Sequence, residues 1–369
     1  MDLALYHPEY GYYTAAGDKM GWKGDYYTSS NVHPVFGELI AKQLVQMDHI
    51  LSEASLTLVE MGAGKGILCH DILQSIQKEF PSTYRRLHYL IIEKSLWLKQ
   101  QQIAWLSPLF QDRVRWSDDV PEGMNGIIFS NELIDAFPVH RIQMGQGLLQ
   151  EVYVDWREDQ FVEVTGVPST PKLQDYVERI GIHFDTPVYL EINLLALDWM
   201  KKVGEALHRG FVLTIDYGYP AEALYTPHRP RGTFLCYHKH QVNENPYHNL
   251  GEQDMTSHVD FTSLAQAGRD VGLTPLGFTD QTHFLMGLGI AQRMEVAANK
   301  MDSLEGSQSA EDAETAETAE AARKEFLAMK HLMDPGQMGR MFKVLIQGKG
   351  VPEKPPLDGL HFRPFVMPI

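Results

Sequence analysis

The sequence lacks the features that mark secreted and membrane proteins. Its 369 residues include two cysteines, Cys69 and Cys236, which cannot form a disulfide framework. No apolar run reaches the roughly 18 residues needed to span a bilayer. The N-terminus has neither the basic and apolar regions of a signal peptide nor the Arg-rich composition of an organelle-targeting peptide. A reducing compartment and, by default, a cytoplasmic location are therefore expected.

Positive charge is also scarce. The 32 Lys and Arg residues are outnumbered by 48 Asp and Glu residues, which gives a formal net charge of -16. Residues 303–322 form an acidic, low-complexity insert, which we expect to be a solvated helix or a disordered segment. A surface this acidic argues against binding to nucleic-acid phosphates. It is compatible with a cationic substrate, although solubility alone also explains it.

Apolar segments alternate with amphipathic ones along most of the chain. Buried strands are predicted at residues 56–61, 87–93, 113–116, 126–130, 211–216, 274–284 and 341–347. Helices are predicted at residues 34–47, 66–80, 95–105, 171–180, 193–208 and 261–271. This alternation is typical of an α/β fold, in which a mostly parallel sheet is covered by helices on both faces.

Three segments interrupt that pattern. Residues 1–30 are rich in Tyr and Gly and are interpreted as part of an N-terminal lid. Segments 139–144, 148–156 and 161–165 alternate like antiparallel strands, and 219–258 is expected to be a long loop. The predicted organisation is therefore a lid and helical segment at 1–50, a core at 51–138 and 209–369, a β/α insertion at 139–208, and the acidic insert at 303–322.

A glycine loop, Val59-Glu-Met-Gly-Ala-Gly-Lys-Gly66, lies between the first predicted strand and the next helix. Glycines let the backbone turn tightly and approach a ligand closely. A phosphate loop would need Ser or Thr after Lys65, and a dinucleotide loop would need its third glycine at Ile67. Gly62, Gly64 and Gly66, preceded by Glu60, instead resemble motif I of class I methyltransferases. The Glu60 carboxylate would suit the ammonium and sulfonium charges of S-adenosylmethionine.

More polar residues follow the other predicted strands. Glu93 ends the second strand, where a carboxylate can accept both hydroxyl protons of a ribose. Asp118, after the third strand, is either near the adenine or a solvated loop acid. Asn131 and Glu132 follow the fourth strand, where they could bind the methionine moiety or orient the methyl acceptor. For Asp135, a helix cap is an equal alternative.

At this point several blocks of the chain resemble the MidA family of class I methyltransferases. The blocks are Tyr10-Gly-Tyr-Tyr13, Gly24-Asp-Tyr-Tyr-Thr-Ser29, Phe36-Gly-Glu38, Glu60 to Gly66, Asn131 to Val139, Asp216-Tyr-Gly-Tyr219, Arg231 to Tyr237, Asp254 to Phe261 and Met338 to Val344. They cover nearly the whole chain except the acidic insert. One departure is that Ser30-Asn31 stands where the family usually has Pro-Glu, so the choice of acceptor could differ.

The resemblance implies a seven-stranded Rossmann-like fold, S-adenosylmethionine as cofactor and transfer of a methyl group to a protein arginine. In mitochondrial members the acceptor belongs to a respiratory complex I subunit. The predicted acceptor-binding and catalytic residues are Glu132, Asp216, Asp260 and His258, with a structural histidine as the alternative for His258. The predicted cofactor-binding residues are Asp25, Thr28, Glu60, Gly62, Gly64, Gly66, Glu93, Asp118, Asn131 and Glu132.

Other interpretations stay open at this level. A dinucleotide-dependent oxidoreductase, a cofactor-binding assembly factor with little catalysis, and a small-molecule methyltransferase are the alternatives. The histidines near Cys236 match no zinc-finger spacing, so no metal site is predicted. No membrane insertion is expected, and a homodimer is possible in principle.

Overall fold

The computed structural model describes residues 1–15, 29–239, 241–305 and 313–362. Its strands are β1 (Leu56–Met61), β2 (Leu87–Ile92), β3 (Val114–Ser117), β4 (Met124–Asn131), β5 (His140–Gly145), β6 (Leu148–Arg157), β7 (Gln160–Gly166), β8 (Val188–Ile192), β9 (Leu207–Tyr219), β10 (Leu235–His238), β11 (Gln241–Asn243), β12 (Asp254–Thr256), β13 (Val259–Asp260), β14 (Thr274–Asp280) and β15 (Phe342–Lys349). Its α-helices are α1 (Asp2–Tyr6), α2 (Ser29–Val32), α3 (Val35–Leu51), α4 (Ile67–Glu79), α5 (Pro81–Arg86), α6 (Leu96–Phe110), α7 (Lys172–Ile180), α8 (Leu194–Ala206), α9 (Ala221–Leu224), α10 (Phe261–Arg269), α11 (Gln281–Gly287), α12 (Ile290–Glu305), α13 (Ala313–Met333) and α14 (Met338–Met341).

A central sheet organises the molecule, with strand order β14-β15-β9-β4-β1-β2-β3. The strands from β3 to β9 in this order pair in parallel, whereas β15 runs antiparallel to both β9 and β14. The short strand β13 adds to the end of β9. The predicted seven-stranded, mostly parallel sheet is thus confirmed.

Each face of this sheet carries its own hydrophobic core, as its apolar strands require. On one face, Leu58 of β1 and Ile91 of β2 pack with α3, α4 and the end of α6. On the other face, Val59 and Ile128 pack with α8 and α10. Successive residues of a strand point to opposite faces, so β1 contributes to both cores.

The insertion is a second sheet with strand order β7-β6-β5-β8, and all of its pairs are antiparallel. The β8 strand was not predicted. The helix α8, which follows it, packs with the central sheet through Met200 and Val203, and its first turn also packs against the insertion through Leu194 and Leu197. The helix therefore contacts both sheets, and the boundary expected at residue 208 stays a prediction.

The long loop predicted at 219–258 is wrong in part. It contains α9 and a three-stranded sheet with order β11-β10-β12. The strands are only three or four residues long, too short to show periodicity. The N-terminal residues Leu5 and Tyr12 pack against Cys236 and Met255 of this small sheet. The first fifteen residues are therefore held against the body of the protein.

The C-terminal part differs from prediction at the end of β14 and in the helices α11 and α12, which were not predicted before residue 303. The β14 strand stops at Asp280, because the Asp280 side chain accepts a hydrogen bond from His283 N at 2.9 Å and caps α11. The acidic insert is helical where it is described, at 303–305 and 313–322, as parts of α12 and α13, which pack against each other. Among the described residues, no helix combines the length and apolar composition that a membrane crossing would need.

Candidate active site

The glycine loop leads from β1 into α4 at the carboxyl edge of the central sheet. Gly62, Gly64 and Gly66 all have positive φ angles, of 73°, 54° and 80°, a region that side chains disfavour. A Cβ at Gly62 would lie 2.6 Å from Leu133 Cδ1, and Gly62 N donates to Ile92 O at 3.0 Å. The loop is thus packed between β2 and the turn after β4; conformation favours glycine there, and a Cβ at Gly62 would also displace the Leu133 side chain.

The Glu93 carboxylate is fixed by one hydrogen bond on each oxygen. Its Oε1 accepts from Ser95 N at 2.9 Å, and its Oε2 accepts from Gln102 Nε2 at 3.2 Å. Burial raises the pKa of Glu93, and the bonds from Ser95 and Gln102 oppose that rise. Each oxygen keeps a lone pair for a ligand, which suits the ribose diol expected from the sequence.

Glu60, which the sequence suggested as a counter-charge for the cofactor, is buried. Its side chain is 3% exposed, and Oε2 accepts a hydrogen bond from Tyr89 OH at 2.8 Å. Burial raises its pKa to about 8, since a charged carboxylate is poorly solvated there. Glu60 is therefore a buried residue of β1 whose side chain is held by Tyr89 of β2.

Asp118 lies just beyond β3, and its side chain is 94% exposed. Its Oδ1 is 3.2 Å from Lys99 Nζ. The position agrees with either expectation, an adenine contact or a solvated loop acid. Asp25 and Thr28 lie outside the described residues.

A strained turn follows β4. Glu132 has φ +52°, which is unusual for a non-glycine residue, and its backbone N donates to Ile215 O at 2.9 Å. Its Oε1 accepts from Ser29 N at 2.8 Å and from Asn131 Nδ2 at 3.0 Å. Although part of the side chain stays accessible, burial raises the Glu132 pKa to about 8. Strain of this kind persists where surrounding contacts enforce it, often at functional sites.

Asp216 holds that turn in place. Its Oδ2 accepts from the backbone N atoms of the next turn residues, at 3.2 Å from Leu133, 2.9 Å from Ile134 and 3.4 Å from Asp135. Its Oδ1 accepts from Tyr217 N at 2.9 Å. Both oxygens of this fully buried carboxylate are therefore engaged by the backbone. Asp216 thus fixes the backbone of the turn, and its predicted contact with the acceptor stays a prediction.

Asp135 is buried at the same turn. The Tyr217 hydroxyl donates to its Oδ2, and burial raises the Asp135 pKa to about 6. The next residue, Ala136, accepts a hydrogen bond from Tyr6 OH at 3.0 Å through its carbonyl. The N-terminal segment therefore reaches the turn that carries the acids.

His258 packs beside these acids through Tyr217. Its ring centroid is 5.4 Å from that of Tyr217 and 5.6 Å from that of Tyr219. Burial, aided by the positive charges of Arg229 and Lys343, lowers the His258 pKa to about 4. The imidazole is consequently neutral near pH 7 and a weak base.

Asp260 does not join this group as a free carboxylate. Its Oδ1 accepts from Thr262 N at 2.9 Å and Ser263 N at 3.2 Å, which caps α10. Its Oδ2 accepts from Tyr176 OH and from Ser263 Oγ, both at 2.5 Å. Both oxygens of Asp260 are therefore engaged within the protein, and Asp260 is the N-cap of α10.

Several buried polar atoms near the turn have no hydrogen-bond partner among the residues that the structure describes. They include Asn131 Oδ1, Asp135 Oδ1 and His258 Nδ1. Buried polar atoms are nearly always satisfied. The amide and carboxylate oxygens accept hydrogen bonds, so a ligand that completes them must donate.

Sequence reasoning missed Gln102 and Trp116 and left Asp135 undecided. Gln102 Nε2 donates to Gly64 O at 2.7 Å as well as to Glu93, and Trp116 Nε1 donates to Gln102 Oε1 at 2.8 Å. Gln102 is one of three consecutive glutamines in α6, and only its burial distinguishes it from its neighbours.

Known proteins resemble this chain over nearly its full length. A curated relative, the mitochondrial protein arginine methyltransferase NDUFAF7 homolog of Drosophila melanogaster, is 28% identical, over 95% of this chain and 80% of that protein. The human NDUFAF7, also named a mitochondrial protein arginine methyltransferase, is 27% identical, over 81% of this chain and 71% of that protein. These names contradict the cytoplasmic location expected from the sequence, and that expectation is wrong.

A crystal structure from Burkholderia thailandensis, bound to S-adenosyl-homocysteine, superposes with a TM-score of 0.84 at 27% identity, covering 98% of this chain and 88% of that chain. The family model described as a putative S-adenosyl-L-methionine-dependent methyltransferase matches residues 39–279. That range contains the glycine loop, Glu93, the turn after β4 and Asp260. The resemblance seen in the sequence is confirmed, and the chain belongs to this family of S-adenosylmethionine-dependent methyltransferases.

Proposed function

We propose that the chain transfers the methyl group of S-adenosylmethionine to an arginine side chain of a protein. Family membership supports the methyl transfer. The names of the curated relatives support arginine as the acceptor. The acidic turn after β4 is the part of this chain that suits such an acceptor.

The observation that carries the proposal is the set of unpartnered atoms at that turn. A guanidinium group offers five N–H donors and no acceptor. Asn131 Oδ1 and Asp135 Oδ1 have no hydrogen-bond partner among the described residues. The Glu132 carboxylate lies beside them, with its Oε1 3.0 Å from Asn131 Nδ2. An arginine side chain would satisfy these oxygens, and planar carboxylates hold its fork in one orientation.

The glycine loop and the residue that follows β2 fit the cofactor. Gly62, Gly64 and Gly66 bring the backbone close to a ligand, and Glu93 offers free lone pairs at the end of β2. S-adenosylmethionine, when bound, supplies a methyl group activated by its sulfonium. The chain itself contributes mainly orientation and the exclusion of water, and positioning of this kind can be worth about 7–11 kcal/mol.

The acceptor nitrogen must lose a proton during the transfer. A base is most useful when its pKa lies near the working pH. The pKa values of Glu132 and Asp135, about 8 and about 6, meet that condition, whereas the value of about 4 for His258 makes it a weak base. We therefore assign the proton to Glu132 or Asp135, and the positioning of their turn to Asp216.

Two finer expectations are part of this proposal. The resemblance to the MidA family makes a complex I subunit homologue the first acceptor to test. A homodimer stays a prediction, which sedimentation equilibrium of the purified chain checks.

The test uses labelled S-adenosylmethionine and a candidate acceptor protein, with the methylated residue identified by mass spectrometry. We expect label on arginine, and a fall in kcat of about 100-fold or more for Glu132→Gln or Asp135→Asn, the range for loss of a catalytic base. The control is Asp198→Asn, a surface acid paired only loosely with Lys172 at 3.8 Å. Label on lysine, label only on small molecules, or full activity in both variants would refute the proposal.

A further inference from the structure

Gln102 is a fully buried amide in α6, between three parts of the cofactor site. Its Nε2 donates to Gly64 O of the glycine loop at 2.7 Å and to Glu93 Oε2 at the end of β2 at 3.2 Å. Its Oε1 accepts from Trp116 Nε1 of β3 at 2.8 Å. One side chain therefore connects the carboxyl ends of β1, β2 and β3.

The chemistry of its partners determines which way the amide faces. An indole N–H can only donate, and a backbone carbonyl can only accept. The Gln102 oxygen must therefore face Trp116, and its NH2 group must face Gly64 and Glu93. A flipped amide would leave the Trp116 N–H and the Gly64 carbonyl opposed by like groups inside the protein, which is costly.

This arrangement acts on the Glu93 carboxylate. With Gln102 on Oε2 and Ser95 N on Oε1, the carboxylate cannot rotate freely. Hydrogen bonds to the charged form also oppose the rise in the Glu93 pKa that burial causes. The carboxylate is thereby presented as a two-oxygen acceptor at a fixed distance from the glycine loop.

We propose that Gln102, held by Trp116, is a positioning residue that orients Glu93 toward the two hydroxyl groups of the cofactor ribose. The inference rests on the proposed cofactor-binding role of Glu93. Gln102 acts through Glu93 and does not itself contact the nucleoside. It deepens the proposed function by naming what makes the site selective for an intact ribose.

The test is calorimetric binding of S-adenosylhomocysteine and of its 2′-deoxyribose analogue to the full chain. Gln102→Met removes the amide but keeps an unbranched side chain of similar length. We expect about 10-fold weaker binding of S-adenosylhomocysteine, in line with a lost hydrogen bond to a charged group. The affinity for the analogue should fall by less than about 3-fold, so the variant should discriminate poorly between the two ligands. Gln101→Met, on the exposed side of the same helix, is the matched control and should bind like wild type.

A merely structural role for Gln102 would weaken both ligands equally, and that result would overturn the inference. A double-mutant cycle gives a second criterion. In a Glu93→Gln background, Gln102→Met should reduce the affinity for S-adenosylhomocysteine little further, whereas additive losses of affinity would contradict action through Glu93. If Gln102→Met does not fold, Trp116→Phe frees the amide without a cavity in the loop and should reduce discrimination in the same direction. Failure of wild type to bind S-adenosylhomocysteine would instead refute the cofactor site, so the two failures are distinguishable.

Discussion

Replacing Asp216 with asparagine perturbs the turn that carries Glu132 and Asp135. Both oxygens of Asp216 accept hydrogen bonds from backbone N–H groups, three on Oδ2 and one on Oδ1. An asparagine amide can be inserted in two orientations. Each orientation points its NH2 group at a backbone N–H, so no rotation restores the native pattern.

The cost can be worked out from these contacts. The cheaper orientation keeps the oxygen on residues 133–135 and opposes only Tyr217 N. A buried N–H left without an acceptor costs about 1–3 kcal/mol, and the NH2 group that faces it places the cost at the upper end of that range. We therefore expect Asp216→Asn to lower the free energy of unfolding by about 3 kcal/mol. Asp216→Ala should cost more, since it leaves all four N–H groups unpaired.

Urea denaturation followed by circular dichroism measures this change, and Asp198→Asn, an exposed acid, should stay within about 0.5 kcal/mol of wild type. The rate of methyl transfer by Asp216→Asn should also fall at temperatures where the variant is still folded, because the turn loses its fixed geometry. The positioning role would be refuted if Asp216→Asn were as stable as wild type, or if Asp216→Ala were more stable than Asp216→Asn.

Three further outcomes are expected. Gly62→Ala should abolish S-adenosylhomocysteine binding by calorimetry, because φ is +73° there and the new Cβ would lie 2.6 Å from Leu133 Cδ1; unchanged affinity would contradict the close packing of the loop. The rate constant kcat/KM should rise with pH up to about 8 as Glu132 loses its proton, and a flat profile from pH 6 to 9 in wild type would exclude Glu132 as the base. Burial raises the Glu60 pKa from 4.5 to about 8, so the folded state keeps a proton that the unfolded state releases. The free energy of unfolding should therefore fall as pH rises from 4.5 to about 8, and Glu60→Gln should reduce that fall. An identical pH dependence of stability in wild type and variant would count against a buried, protonated Glu60.

Sequence patterns predicted the central sheet well because most of its strands are long and apolar, and because strands alternate with amphipathic helices over most of its length. The β1 strand, at 56–61, has the bounds expected. Patterns failed where strands are short or where partners are distant in sequence. The β10–β12 sheet has strands of three or four residues, and the contacts of α8 with both sheets depend on where its Leu194 and Met200 pack.

The same limit applies to the site. Carboxylates at strand ends could be located from the sequence because the carboxyl ends of parallel strands meet at one edge. Their individual roles could not be read, since a carboxylate that caps a helix looks the same in sequence as one that binds a ligand. Asp260 proved to be a cap on α10 and Asp216 a clamp on the turn, whereas Asp135 keeps an unpartnered oxygen.

The sequence alone narrowed the nucleotide class of this protein. The spacing of Gly62, Gly64 and Gly66 after Glu60 excludes a phosphate loop and disfavours a dinucleotide loop, because each ligand class needs its glycines at particular backbone positions. Only the tertiary structure decided how the surrounding polar groups are used. Hydrogen bonds between residues far apart in the chain, such as those of Gln102 and Asp216, depend on distances of a few ångströms that folding creates and that residue spacing does not encode.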